Sequence, residues 1–142
     1  MKPVEGLITL PSSFSAPETL ERLEAEIRAR ELQVFARIDH AAGAAEVGLT
    51  LAPTTLVIFG NARGGTPLMQ AAQTVGIDLP LKALVWTDAA GQTWLSYNDP
   101  VWIAQRHGLT DAAVLVNKLS ALLTMLCRKA ATAAPPPATT PP

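Results

Sequence analysis

LPLKALVWTDAAGQTWLSY, residues 79–97, decides the fold. Two runs rich in β-formers, Leu79–Thr87 and Thr93–Tyr97, flank Asp88-Ala89-Ala90-Gly91. Gly91 can supply the positive φ that a tight turn between strands requires. The stretch therefore predicts an antiparallel hairpin, with Trp86 and Trp94 placed to pair across it as core or as the floor of a pocket. A sheet that contains this pair is mixed or antiparallel.

Working outward, Thr54–Phe59 is a run of β-branched and aromatic residues and predicts a strand. A glycine-rich loop, 60–65, follows it. Thr66 is the expected N-cap of a helix that has Pro67 at its first position, reaches Thr74 and stops at Gly76. Further upstream, Val4–Leu10 suits a first strand that ends at Pro11-Ser12-Ser13. Ser15 and Glu18 have capping-box spacing, and Leu20, Leu23 and Ile27 share one helical face. Leu32–His40 alternates with period two and predicts a strand, and Ala41–Leu49 predicts two broken helical turns. Downstream, Asp99-Pro100 opens a short helix to His107. Thr110 is the expected cap of a long helix striped by Leu115, Leu119, Leu122, Leu123 and Leu126.

The order is β-α-β-(α)-β-α-β-β-α-α. It predicts one α+β domain over 1–129, with about five strands and helices packed on one face. The other face would be free for a ligand or a second subunit. From Ala130 only Ala, Thr and Pro occur, so 130–142 is expected to be a disordered tail.

Hydrophobic residues make up 49% of the 142 and charged residues 16%, enough for a packed core without metal or disulfide. The net charge of -1 offers no basic surplus, which argues against nucleic acid as a partner. Cys127 is the one cysteine and lies in an apolar helical run, where it reads as a small buried hydrophobe. Glu5 and Gly6 interrupt any leader-like apolar run. The longest apolar stretch, 109–127, carries Asp111, Asn117 and Lys118, so no membrane span is expected and the address is cytoplasmic.

Chemistry concentrates at Phe59-Gly60-Asn61-Ala62-Arg63-Gly64-Gly65-Thr66-Pro67. A strand, a glycine loop and a helix N-terminus present backbone N–H groups and a positive dipole end, which suit an anion. Gly64 and Gly65 allow close approach, and Arg63 could clamp a carboxylate or phosphate. The phosphate-reaching lysine of a P-loop is absent, which excludes an ordinary P-loop NTPase. The alternative is a tight structural turn with Asn61 in a left-handed conformation. Asp39-His40 forms a second candidate, with His40 as proton-transfer group. His107, before Gly108, reads as a helix-dipole cap. No metal-ligand spacing and no G-x-S-x-G elbow occurs, so no metal site is expected. Asp78 and Lys82 bracket Leu79-Pro80-Leu81, and an Asp78–Lys82 or Asp39–Lys82 pair is expected. Tyr97, Asn98 and Asp99 close the hairpin's second strand.

Taken together, Phe35-Ala36-Arg37-Ile38-Asp39-His40, TTLVIFGNARGGTPLM (54–69), IDLPLKALVW (77–86) and WLSYNDP (94–100) resemble the family called domain of unknown function 302. The resemblance runs from about Gly6 to about Cys127. It implies a compact α+β sandwich and a dimer, and it implies no established activity or cofactor. It marks His40, Asn61, Thr66, Pro67, Met69, Asp78, Lys82, Tyr97 and Asn98 as positions to test. A common family form of the loop reads Asn-Pro-Lys-Ala-Gly-Thr. Here Ala62, Arg63 and Gly64 keep the basic charge and lose the proline. Three readings follow: a domain that binds a small anionic ligand at 60–66 with His40 and Lys82 nearby, a homodimeric interaction module, and an enzyme that uses His40.

Overall fold

The hairpin forms as its turn chemistry requires. In the computed structural model, which describes residues 2–133, Gly91 has φ +85°. Asp88 Oδ1 accepts hydrogen bonds from the backbone N–H groups of Ala90 and Gln92, both at 2.9 Å. The turn joins β4 (Leu81–Thr87) to β5 (Thr93–Asn98). Trp86 and Trp94 face each other in register, with ring centroids 6.1 Å apart and planes at 25°.

Three more strands complete the sheet: β1 (Leu7–Pro11), β2 (Gln33–Asp39) and β3 (Thr54–Gly60). Their order is β1-β5-β4-β3-β2, and every neighbouring pair is antiparallel. The sheet is thus antiparallel throughout, and β4 is its central strand.

Period-two alternation divides the sheet into two faces. Val57, Phe59, Val85 and Leu95 are at most 1% exposed. They meet α1 (Ala16–Ala29) and α5 (Ala113–Ala131), which pack on each other over this face. Leu23 and Ile27 of α1 and Leu123, Leu126 and Cys127 of α5 belong to the same cluster. Leu56, Ile58, Lys82, Leu84, Trp86 and Trp94 point the other way and are half-buried. That face carries neither long helix.

Ser15 caps α1 by accepting from the Glu18 backbone N–H at 3.3 Å, as the capping-box spacing predicts. Asp99 caps α4 (Pro100–Arg106) through the Val101 N–H at 3.0 Å. Two other helix starts differ from expectation. The third helix, α3 (Ala62–Ala71), begins four residues before the expected cap at Thr66, because Asn61 Oδ1 accepts from the Gly64 N–H at 2.7 Å. Pro67 then lies inside the helix. α5 begins at Ala113, and its flanking Ala112 makes no side-chain cap, so Thr110 does not serve as one.

The C-terminal boundary also moves. α5 continues to Ala131, and Ala130 and Ala131 are fully buried. Arg22 explains the extension: its guanidinium donates to the carbonyls of Lys129, Ala130 and Thr132 at 2.9–3.1 Å, satisfying acceptors that a helix end leaves open. The remainder of the tail expected over 130–142, from residue 134 on, lies outside the described residues.

A smaller cluster closes one end of the molecule. Leu68 of α3, Val75, Ile103 and Ala104 of α4, and Val116 of α5 pack together. Val75 comes from a 3₁₀ turn, Gln73–Asp78, that leads through a cis Leu79–Pro80 bond into β4.

Candidate functional site

The junction of β3 and α3 lines a cavity of about 400 Å³. Gly60, Asn61, Ala62, Gly64 and Gly65 form one wall. Leu32, Phe35, Met69, Leu79, Leu119 and Leu122 supply the apolar remainder. The glycines matter because side chains would occupy this space. A Cβ on Gly65 would lie 3.5 Å from Leu79 Cδ1 and 3.8 Å from Met69 Cε. The sequence reading of this loop as an anion cradle needs correction in one respect. Asn61 engages the Gly64 N–H through its side chain and the Gly65 N–H through its carbonyl at 3.3 Å. Asn61 is itself extended, with φ -152°, and is not left-handed. Arg63 and Thr66 are exposed on α3 and do not line the cavity. The wall is mostly apolar, and the Gly64 and Gly65 amides already have partners.

The structure separates residues that sequence reasoning placed together. Gln33 pairs with Gly60 at one end of β2, and Asp39 pairs with Thr55 at the other. Six strand steps of ~3.3 Å put these ends about 20 Å apart. His40 follows Asp39 at the start of α2 (His40–Glu46) and is exposed. Asp39 caps α2 through the Ala42 N–H at 2.9 Å. Neither residue reaches the glycine loop.

Asp78 forms no ion pair with Lys82. It accepts from Arg106 at 3.0 Å on both oxygens and meets His107 Nε2 at 2.5 Å. His107 Nδ1 in turn meets Thr74 Oγ1 at 2.8 Å. His107 therefore does more than cap a helix dipole: its side chain is 7% exposed and joins the 3₁₀ turn to the end of α4. Sequence reasoning missed Thr74 and Arg106. Their only signal was the apposition of Asp78 with an Arg-His pair, which chain order does not reveal.

Lys82 lies on the open sheet face. Its Nζ donates to the Pro80 carbonyl at 3.0 Å. It lines a groove of about 330 Å³ that Asn98 and Tyr97 also border. Burial pushes the Lys82 pKa below its ordinary value, against the opposing pull of Asp78. Tyr97 borders the groove from the strand edge, but its side chain lies on the covered face, where its hydroxyl meets Thr124 of α5 at 3.2 Å and burial raises its pKa. The ten residues expected to form one site thus fall into four places. Asn61, Gly64 and Gly65 line the cavity, with Arg63 and Thr66 nearby on α3. Asp78 is in the His107 network, Lys82, Tyr97 and Asn98 border the groove, and His40 is remote.

Comparison with known proteins follows the architecture. An uncharacterized conserved DUF302 protein from Bacillus stearothermophilus superimposes with a TM-score of 0.81. The match covers 89% of this chain and 99% of that one at 19% identity, so the likeness is one of fold. Among curated sequences, "Fluoride-specific ion channel FluC 1" of Brucella suis biovar 1 (strain 1330) is 53% identical over 112 residues. That segment is 77% of this chain and 44% of the relative. "Fluoride-specific ion channel FluC 2" of Brucella melitensis biotype 1 (strain ATCC 23456 / CCUG 17765 / NCTC 10094 / 16M) matches at the same identity, over 42% of its length. The chain spans less than half the length of these curated relatives. No helix among the described residues is long and apolar enough to cross a membrane. The model of the family described as "Domain of unknown function DUF302" matches residues 8–126, and the chain belongs to that family.

Proposed function

We propose that this domain binds a small, largely apolar molecule in the cavity at the Gly60–Thr66 junction. One observation carries the reading: the glycine loop, Met69 and the α5 leucines enclose about 400 Å³ of mostly apolar space. A bare anion is a poorer fit, because Asn61 already engages two loop N–H groups and Arg63 lies outside the lining. A carboxylate with an apolar body suits both the cavity and the polar edge at Asn61. The proton-transfer reading of His40 finds no support, since His40 is exposed and far from the loop.

The relatives named as fluoride channels are more than twice as long as the segment they share with this chain. A spanning polypeptide must satisfy its backbone polar groups within the bilayer, as a helix or a closed barrel does. Here the described residues form an open five-stranded sheet with no helix both long and apolar enough to span. We read fluoride conduction as belonging to the rest of those proteins, and the shared segment as a ligand-binding part joined to it.

Thermal denaturation with hexanoate, decanoate, phenylacetate, phosphate and fluoride tests the reading. Saturating apolar acids should stabilise the wild type, by about 2.7 kcal/mol at a hundredfold excess over Kd. Phosphate and fluoride should not. Gly65→Leu would extend into the cavity with only ordinary contacts at its Cβ. It should stay folded and lose the response. Stabilisation by phosphate or fluoride alone, or a full response in Gly65→Leu, would overturn the proposal.

A further inference from the structure

The open sheet face holds a chemically distinct group. Lys82 stands on the central strand, opposite Ile58 of β3, with Leu84 and Trp86 following on its own strand. Its stem runs into the groove that Leu7 and Leu56 help to wall. Lys82 forms no ion pair among the described residues. The nearby carboxylate of Asp78 is committed to Arg106 and His107. One N–H of the ammonium is bound to the exposed Pro80 carbonyl, two residues back on the chain. Asn98 borders the same groove, and its side-chain amide has no hydrogen-bond partner recorded among the described residues.

We propose that Lys82 captures small apolar aldehydes in this groove as imines. The aldehyde's hydrocarbon body lies against Leu7, Leu56 and Leu84, and its carbonyl oxygen faces the amide of Asn98. The uncharged Lys82 nitrogen attacks the carbonyl carbon, and the proton it sheds passes to the oxygen to give a carbinolamine. The carbinolamine hydroxyl then takes a second proton from solvent and leaves as water while the nitrogen lone pair closes the C=N bond, and the remaining N–H proton of the iminium returns to solvent. Amine and aldehyde are consumed, imine and water are formed, and no oxidant or reductant takes part. Desolvation favours the step by enlarging the uncharged fraction of Lys82 near neutral pH. Asp78 is the charged group whose field opposes this. Tyr97, the other titratable residue of the lining, has its side chain on the covered face, with its hydroxyl on Thr124.

The chain's lysines are Lys2, Lys82, Lys118 and Lys129, so selectivity can be read by peptide mass mapping. The full chain is incubated with hexanal and cyanoborohydride at pH 7.5, and the reduced adduct at each lysine is quantified. Lys82 should carry several-fold more adduct than any other lysine, because burial enlarges its uncharged fraction at this pH. Formaldehyde, which has no apolar body, should show a smaller preference for Lys82. The Lys82 preference should shrink as pH rises toward 10.5, the ordinary lysine pKa. Lys82→Arg should lose that adduct and keep its circular dichroism. Leu84→Gln, which leaves the amine intact, should lower hexanal selectivity. Equal labelling of all lysines, or a silent Lys82 because a second copy covers the face, would overturn the proposal.

Discussion

The two faces of the sheet share a backbone and differ in nearly everything else. On the covered face, Val57, Phe59, Val85 and Leu95 are closed off by α1 and α5. On the open face, side chains of similar type stop at half burial, and polar groups are tied locally. The Trp86 indole N–H donates to Ser96 Oγ at 2.9 Å, the Trp94 N–H donates to Asp88 at 2.8 Å, and Thr9 meets Ser96 at 2.8 Å. The Trp94 indole N–H, followed by the Gln92 backbone N–H, holds Asp88 below the ordinary carboxylate range. Stability is therefore concentrated on one face, and the groups left free for chemistry lie on the other or at the sheet's end. A protein can alter the open face without losing its core.

The largest expected effect tests that division directly. Leu95→Ala removes a fully buried side chain from the covered face and should cost ~2–5 kcal/mol. Leu84→Ala makes the same chemical change on the neighbouring strand but on the open face, and should cost about 1 kcal/mol. Guanidinium denaturation of both variants measures the difference. Equal costs would break the comparison and mean that a partner, such as a second copy, covers the open face in solution.

The same division explains what sequence could and could not reveal. Period-two and period-3.6 patterns are local, so the hairpin, the element order and the caps at Ser15 and Asp99 were legible. The start of α3 was not, because Asn61, Ser and Thr compete as caps and only geometry shows that Asn61 reaches the Gly64 N–H. Pro67 misled as well: proline marks a first helical position, yet here it lies inside α3, where its missing N–H forgoes the bond to the carbonyl four residues back. The grouping of site residues failed more deeply. His40 and Asn61 both follow strand ends, but β2 and β3 are antiparallel, so the two ends lie on opposite sides of the sheet. Asp78 joins Arg106 and His107 across 28 residues of chain, and no spacing rule encodes that.

The contact around Asp78 belongs to neither face, so it should carry an intermediate effect. Asp78→Ala leaves Arg106 and the enclosed His107 without their shared acceptor. A cost of ~1–3 kcal/mol follows for stranding buried donors. Thr74→Val removes only the outer hydrogen bond, whose hydroxyl is exposed, and should cost less than Asp78→Ala. If the two variants are equally mild, the 3₁₀ turn is held by Val75 and its apolar neighbours alone.

Loss of water shifts titratable groups on both faces, and in opposite directions. It lowers Lys82 on the open face, and it pushes the Cys127 thiol on the covered face up from 9.0 to about 12. The thiol gives a pH test of the covered face. Its folded-state pKa lies above the unfolded one, so the folded chain keeps a proton that the unfolded chain sheds above pH 9. The stabilising contribution is present in full below pH 9 and is lost as pH rises from 9 toward 12. By pH 9.5 the loss should be slightly under 1 kcal/mol, since one pKa unit corresponds to ~1.4 kcal/mol. Burial also shifts Tyr97 and Lys82, so the measurement is a difference between the wild type and Cys127→Ala. The wild type should lose stability more steeply than the variant between pH 8 and 9.5. Parallel curves would mean that water reaches Cys127 between α5 and the sheet, and that the covered face is less tightly closed than its packing indicates.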